Sequence, residues 1–311
     1  MLTLKRAAGR AVATAAGIAG TAHASLQKDA FWNLPSGVTS LSREEYGLHM
    51  MAFWVVVVIG VLVFGTMFYS LFAHRRSRHP TPSNFHENTT VEVIWTIIPF
   101  LILVGMAIPA AATLIHAYDT RNADLTIKVT GVQWKWEYAY PEQGLQFVSG
   151  LDAASTRAAP LDSGVDPSSV PDYLRGVDHP MVVPVGEKIR LLITSADVDH
   201  GWWVEDLGVK KNAYPGFINE AWFKADRIGT YRGQCTVLCG YGHGYMPIVV
   251  KVVSQQDFKG WAAQMKHDGF GYTPSASELA AVTSDSDAGA RTRAPVAPAS
   301  TPAPATSAAG D

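Results

Sequence analysis

Between Met50 and Ala73 the chain reads MMAFWVVVVIGVLVFGTMFYSLFA, 24 residues without a charged side chain, and between Val93 and Ile115 it reads VIWTIIPFLILVGMAIPAAATLI, 23 more. A helix needs roughly 20 apolar residues to cross the hydrocarbon core of a bilayer. Both runs are long enough, so the sequence predicts two transmembrane helices over about 50–73 and 93–115. A hairpin buried in a soluble protein is the alternative, and ordinary core helices are shorter. Pro99 and Pro109 fall inside the second run, where packing against neighbouring helices re-satisfies the carbonyls they free. Arg75, Arg76 and Arg78 follow the first run directly. Cationic loops favour the cytoplasmic side, which places both termini outside.

Flanking segments follow from composition. Lys5, Arg6 and Arg10 precede an alanine-rich stretch ending Ala22-His23-Ala24. That order reads as a secretory signal peptide over 1–24 with a small-residue cleavage site, leaving 25–49 as an external segment and 50–118 as the hairpin. From 119 to 255 the strand-like runs Leu125–Val129, Lys188–Ile193 and Ile248–Val253 predict a β-sandwich. Residues 149–180, rich in Ala, Ser, Pro and Asp, read as an insertion. Residues 256–311 form a C-terminal extension. Past Tyr272, Ala, Pro, Ser and Thr dominate, a composition that buries too little apolar surface to fold. The fold class is therefore α+β, a membrane hairpin followed by an all-β domain. A net charge of −2 over 311 residues leaves no basic footprint for nucleic acid.

The chemistry concentrates in Cys235-x3-Cys239-x3-His243-x2-Met246, with His200 upstream and no other cysteine in the chain. Thiolate and thioether sulfur select soft metals and exclude magnesium or calcium as the bound ion. Zinc is satisfied by two Cys and two His and has no use for Met246. Copper accepts a thioether as a weak axial ligand, and a second cysteine suggests two coppers bridged by sulfur. A Cys235–Cys239 disulfide in an oxidising compartment is the competing explanation. No Cys-x2-Cys-His occurs, so no c-type haem is attached to this chain. Trp134, Trp136, Tyr138 and Tyr140 alternate with period two, which puts their rings on one strand face. Core burial suits the last three, and Trp134, at the strand's start, is expected at the rim.

These residues together resemble subunit 2 of the haem-copper cytochrome c oxidases. The two spans, Glu92-Val93-Ile94-Trp95-Thr96-Ile97-Ile98-Pro99, Gln133-Trp134-x-Trp136, Asp197-x2-His200-x-Trp202 and the Cys-to-Met loop follow the family's order. The resemblance implies a cupredoxin sandwich on a helical hairpin and a binuclear copper centre, CuA. By position, Cys235 and Cys239 bridge the coppers, His200 and His243 are terminal ligands, Met246 is axial, and the Val237 backbone carbonyl completes the set. It further implies electron delivery from cytochrome c through Trp134 to a haem-bearing subunit 1, with subunit 3 as a further partner. Oxygen reduction and proton pumping would occur on subunit 1, in a bacterial inner membrane. Asp197 matches a carboxylate that docks the cytochrome. Glu92 matches one at the mouth of a proton path, although Thr89-x2-Glu92 also reads as a helix capping box. Val237 departs from the family's glutamate, whose side chain helps hold magnesium at the subunit 1 border; valine has no such oxygen. Quinol oxidases usually lack the two cysteines, nitrous-oxide reductase needs a propeller this chain has no room for, and a copper-storage protein needs neither Trp134 nor the Glu92–Pro99 segment.

Overall fold

Apolar residues fill the long central run of each of two helices and leave no polar face for water there, and the structure, a computed structural model, keeps those runs bare. Residues 33–81 and 84–283 are described; the expected signal peptide lies outside them. Helix α1 spans Ser40–Ala73 and α2 spans Thr89–Ala117. None of the most apolar window of either helix is buried. At 1.5 Å per residue, the 34 residues of α1 extend about 51 Å. That exceeds the apolar thickness of a bilayer, so its charged first turns, with Arg43, Glu44 and Glu45, reach beyond the Met50–Ala73 run. The α2 cap differs from the expected box. Asn88, not Thr89, is the capping residue: its Oδ1 accepts from the Val91 backbone N–H at 3.1 Å. Asn88 sits one residue earlier, which places its amide oxygen over the third backbone N–H of the helix. Glu92 therefore falls one position beyond the reciprocal place in such a box.

The described residues fall into two compact units, one holding residues 33–37 and 42–106 and the other 38–41 with 107–283. The second contains ten strands: β1 Leu125–Val132, β2 Lys135–Tyr140, β3 Leu145–Ser149, β4 Met181–Pro184, β5 Lys188–Ser195, β6 His200–Val204, β7 Val209–Ala213, β8 Asn219–Lys224, β9 Gly229–Cys235 and β10 Pro247–Val253. They make two five-stranded sheets, ordered β3-β2-β1-β5-β8 and β4-β10-β9-β6-β7. Pairings are antiparallel except β1 with β5 and β10 with β4. Leu125, Ile127 and Val129 alternate with Thr126, Lys128 and Thr130, so β1 turns one face inward. Opposite it lie Trp202 and Val204 of β6 and Ile248, Val250 and Val252 of β10, all in one core. Trp136, Tyr138 and Tyr140 are buried in that core. Trp134 precedes β2 and packs against the core only in part.

Between β3 and β4 the chain forms a short helix, α3 (Ala153–Ala158), capped by Asp152, whose side chain accepts from the Ser155 N–H. Arg232 of β9 ties the same segment down, pairing with Asp172 at 2.6 Å and donating to the Arg175 carbonyl at 2.7 Å. After β10, helix α4 (Gln255–Met265) buries Phe258, Ala262 and Met265, a helical spacing that lays one face on the sandwich. The expectation that nothing packs after Tyr272 is corrected as far as Thr283. Helix α5 (Ala276–Thr283) is held by charge instead of an apolar face. Glu278 pairs with Lys128 at 3.0 Å, and Arg190 donates to the Ala281 carbonyl at 3.1 Å.

Candidate metal centre

Antiparallel pairing decides the site. Trp202 of β6 lies opposite Cys235 of β9, so the start of one strand meets the end of the other. His200, the first residue of β6, is thereby brought beside Cys235 at one end of the sandwich. The chain then loops from Cys235 through Met246 into β10. Both cysteines are buried free thiols, with sulfurs 3.9 Å apart. That separation is about twice a disulfide bond, so the disulfide alternative is not what the structure shows. One ligand atom each from His200, Cys235 and Cys239 lies within 4.8 Å of the other two. His243 Nδ1 and Met246 Sδ each reach Cys239 Sγ at 3.5 Å. The Val237 carbonyl oxygen stands 3.4 Å from Cys235 Sγ. All six expected ligand positions are thus drawn into one end of the sandwich.

Electrostatics test whether a cation belongs there. Burial alone raises both thiols, but the nearby His200 and His243 rings and the backbone at Gly201 and Val237 hold Cys235 well below the ordinary thiol value. Cys239 is pushed up, first by burial and then by the charge of Cys235. Two sulfurs this close cannot both be anionic without a positive charge between them. His200 is wholly buried, and its Nε2 meets Asp197 Oδ1 at 2.9 Å. An ionised carboxylate only accepts, so in the neutral imidazole Nε2 carries the proton and Nδ1 keeps a lone pair. Nδ1 is buried with no hydrogen-bond partner. A bare buried lone pair beside two sulfurs and a thioether fits a soft metal such as copper. Magnesium does not fit at Val237, which offers no side-chain oxygen. Among the described residues, the sole group of three or more acidic, His or Cys side chains gathered for an ion is the copper-type cluster itself.

Asp197, the expected docking carboxylate, also serves the site. It accepts from the Gln133 N–H at 2.7 Å and the Val198 N–H at 2.6 Å as well as from His200. Burial raises its carboxyl, and these bonds outweigh that and lower it. Trp134 Nε1 donates to the Cys239 carbonyl at 3.1 Å. Gln133 Nε2 reaches the same oxygen at 2.9 Å. Glycine makes two close approaches possible: a Cβ on Gly131 would stand 2.6 Å from the His200 ring, and one on Gly242 2.3 Å from the Trp134 indole. Trp136, read as core, also serves the loop, because its Nε1 donates to the Met246 carbonyl at 3.3 Å. Gly131, this second use of Trp136 and the role of Gln133, named in sequence only as part of the Gln133-Trp134-x-Trp136 motif, are missed by sequence reasoning. The adjacency of Gly131 to the tryptophan run is the only signal it leaves. Glu92 belongs to the helical segment and is not a member of the cluster.

The chain matches two descriptions, "Cytochrome C oxidase subunit II, transmembrane domain" over residues 28–112 and "Cytochrome C oxidase subunit II, periplasmic domain" over residues 125–253. It is 37% identical over 226 residues to a probable cytochrome c oxidase subunit 2 of Rickettsia bellii, covering 72% of this chain and 80% of that one. With cytochrome c oxidase subunit 2 of Cereibacter sphaeroides it shares 35% identity over 227 residues, covering 69% and 74%. Among solved structures, the periplasmic domain of subunit II of cytochrome oxidase of Bradyrhizobium japonicum is 41% identical, with a TM-score of 0.41, covering 48% of this chain and 98% of that one. Helical hairpin and sandwich are thus matched in order, with only a short stretch between them unmatched, and the chain belongs to the cytochrome c oxidase subunit 2 family.

Proposed function

We propose that this chain accepts single electrons from cytochrome c at a binuclear CuA centre and passes them to a haem-copper subunit 1, where oxygen is reduced to water and protons are pumped. The observation that carries the proposal is the bare, buried Nδ1 of His200 facing two free thiols 3.9 Å apart. His200, Cys235, Cys239, His243, Met246 and the Val237 carbonyl are the ligands. Two coppers sharing one electron through bridging sulfur would change shape little on transfer, which speeds exchange.

The protein's part is to hold that set rigid. Asp197 orients His200, Trp136 and Gln133 pin the two arms of the loop by their carbonyls, and β6 and β9 fix the spacing between His200 and Cys235. Trp134 is the point where electrons arrive, since its indole is hydrogen-bonded to the carbonyl of a ligand residue. Asp197 retains 28% side-chain exposure, enough to add negative charge to a docking face while serving His200. Subunits 1 and 3 are the membrane partners. The bacterial inner membrane is the location, with copper domain and both mature termini on the periplasmic side, because the Arg75–Arg78 cluster holds the hairpin's loop inside. Glu92, near that inner surface, feeds protons toward subunit 1.

Purification from native membranes through a tag on this chain tests the proposal. A haem-bearing partner should co-purify, and the complex should consume oxygen when given reduced cytochrome c. A copper protein isolated without haem would overturn it. In the same preparation Glu92→Gln should slow turnover; unchanged turnover would leave Glu92 only as an acid in the first turn of α2.

A further inference from the structure

The chain leaving α1 reads His74-Arg75-Arg76-Ser77-Arg78-His79, and no Asp or Glu occurs between Glu45 and Glu87. Each of these residues is exposed. The backbone closes on one carbonyl: the Arg75 oxygen accepts from the Arg78 N–H at 2.8 Å and from the His79 N–H at 3.1 Å. The His79 ring folds back on the His74 ring, with 5.3 Å between centroids, and His74 packs edge-on against Tyr69 at 6.0 Å. Three arginines are thus gathered on one tight turn at the end of a membrane span. Among the described residues, no carboxylate meets any of their guanidiniums.

Two ordinary reasons for cations at this place fall short of the arrangement. A cationic loop orients a hairpin, but orientation depends on charge alone and lysine serves as well. A cation near a helix C-terminus offsets the macrodipole, and one charge in the last turn supplies that. Neither calls for three guanidiniums without a counter-charge. Arginine differs from lysine in its planar fork, which grips phosphate oxygens in pairs. Bilayer phosphates lie at the depth of this turn, just past the apolar run that ends at Ala73. Tyr69, Phe72 and Phe85 are 66%, 70% and 68% exposed, so bare rings flank the turn on both sides in sequence. Rings of this kind settle at the boundary between headgroup and hydrocarbon. An acidic protein segment would match the charge and leave them uncovered.

We propose that the turn from Arg75 to Arg78 binds the phosphate of an anionic phospholipid, with Tyr69, Phe72 and Phe85 against its acyl chains, and so anchors the hairpin in its leaflet. The site needs only the two membrane spans and is independent of the copper centre and of electron transfer. The test uses the native complex purified in neutral detergent through a tag on this chain, with a photoactivatable phosphatidylglycerol as the probe. In the wild type the probe should label the peptide holding the turn, and unlabelled phosphatidylglycerol should compete about a hundredfold better than phosphatidylcholine. Arg76→Gln/Arg78→Gln leaves Arg75 to orient the hairpin, and should cut that preference to about fivefold with copper content unchanged. Arg75→Lys/Arg76→Lys/Arg78→Lys keeps the whole charge, so it reads the site even where the glutamine variant fails to assemble; it should bind about threefold more weakly than the wild type. Raised ionic strength should weaken labelling of the turn. A wild-type turn that takes no label, or a preference that survives the glutamine variant, overturns the proposal. Undiminished binding in the lysine variant would mean that diffuse charge holds the lipid, and overturns an arginine-built site. A neighbouring subunit shed by the variants, with the wild-type turn unlabelled, would assign the turn to a protein partner and overturn the lipid site as well.

Discussion

An imidazole with one nitrogen tied to a carboxylate and the other bare in the protein interior costs stability unless something occupies the bare side. His200 is such a residue, and Asp197 decides which nitrogen is bare. Asp197→Asn keeps the shape and removes the obligate acceptor, so the ring is free to take the other tautomer or turn. Outer partners of this kind typically contribute tenfold to hundredfold in metal affinity, and copper affinity is expected to fall by about that factor. Competition against a copper chelator measures it, and unchanged affinity would remove Asp197 from the positioning role. The residues of the cluster were legible, because Cys, His and Met at close spacing carry their chemistry in their side-chain types. Asp197 was legible as a docking carboxylate within Asp197-x2-His200, not as the partner of the imidazole. Which way its carboxylate turns depends on the Gln133 and Val198 N–H groups that receive it, and no spacing encodes that.

The two long helices and the strands near residues 125–129, 134–140, 188–193 and 248–253 showed plainly because their periodicity or unbroken apolarity is a property of the segment itself. Helix α5 did not, since Ala276–Thr283 lies in an Ala-, Ser- and Thr-rich stretch and is held by Glu278 and a backbone carbonyl reaching side chains of distant strands. Arg190, which grips that carbonyl, is only 2% exposed and also pairs with Glu220 at 2.8 Å. Burial tends to raise the Glu220 carboxyl, but bonds from Arg190 and Thr120 outweigh it and hold it below its ordinary 4.5. A carboxylate depressed in the folded state stabilises the protein above its unfolded value, and the benefit is lost as pH falls below 4.5 through the folded value. Glu220→Gln should cost about 2 kcal/mol at neutral pH, less than breaking a wholly buried pair because Glu220 is 36% exposed. Denaturant unfolding at about pH 7 and about pH 3 should show that difference shrinking in acid. A difference constant with pH would mean the pair contributes packing alone.

At the scale of the molecule, the sequence separates a membrane hairpin from a β-rich domain because their solvents differ. Lipid tolerates apolar residues all round a helix, whereas a sandwich in water must alternate. The insertion between β3 and β4 was the least legible part: in sequence it is a composition alone, and in space Asp152 and Asp166 prove to be caps and Asp172 an Arg232 partner. What the two parts accomplish together depends on the loop from Cys235 to Met246 binding two metal ions. Copper-to-protein stoichiometry combined with electron paramagnetic resonance on the purified complex tests this most directly. Two coppers in the domain of this chain, with one unpaired electron shared between both nuclei, are expected. A single copper, none, or a signal confined to one nucleus would contradict the binuclear centre.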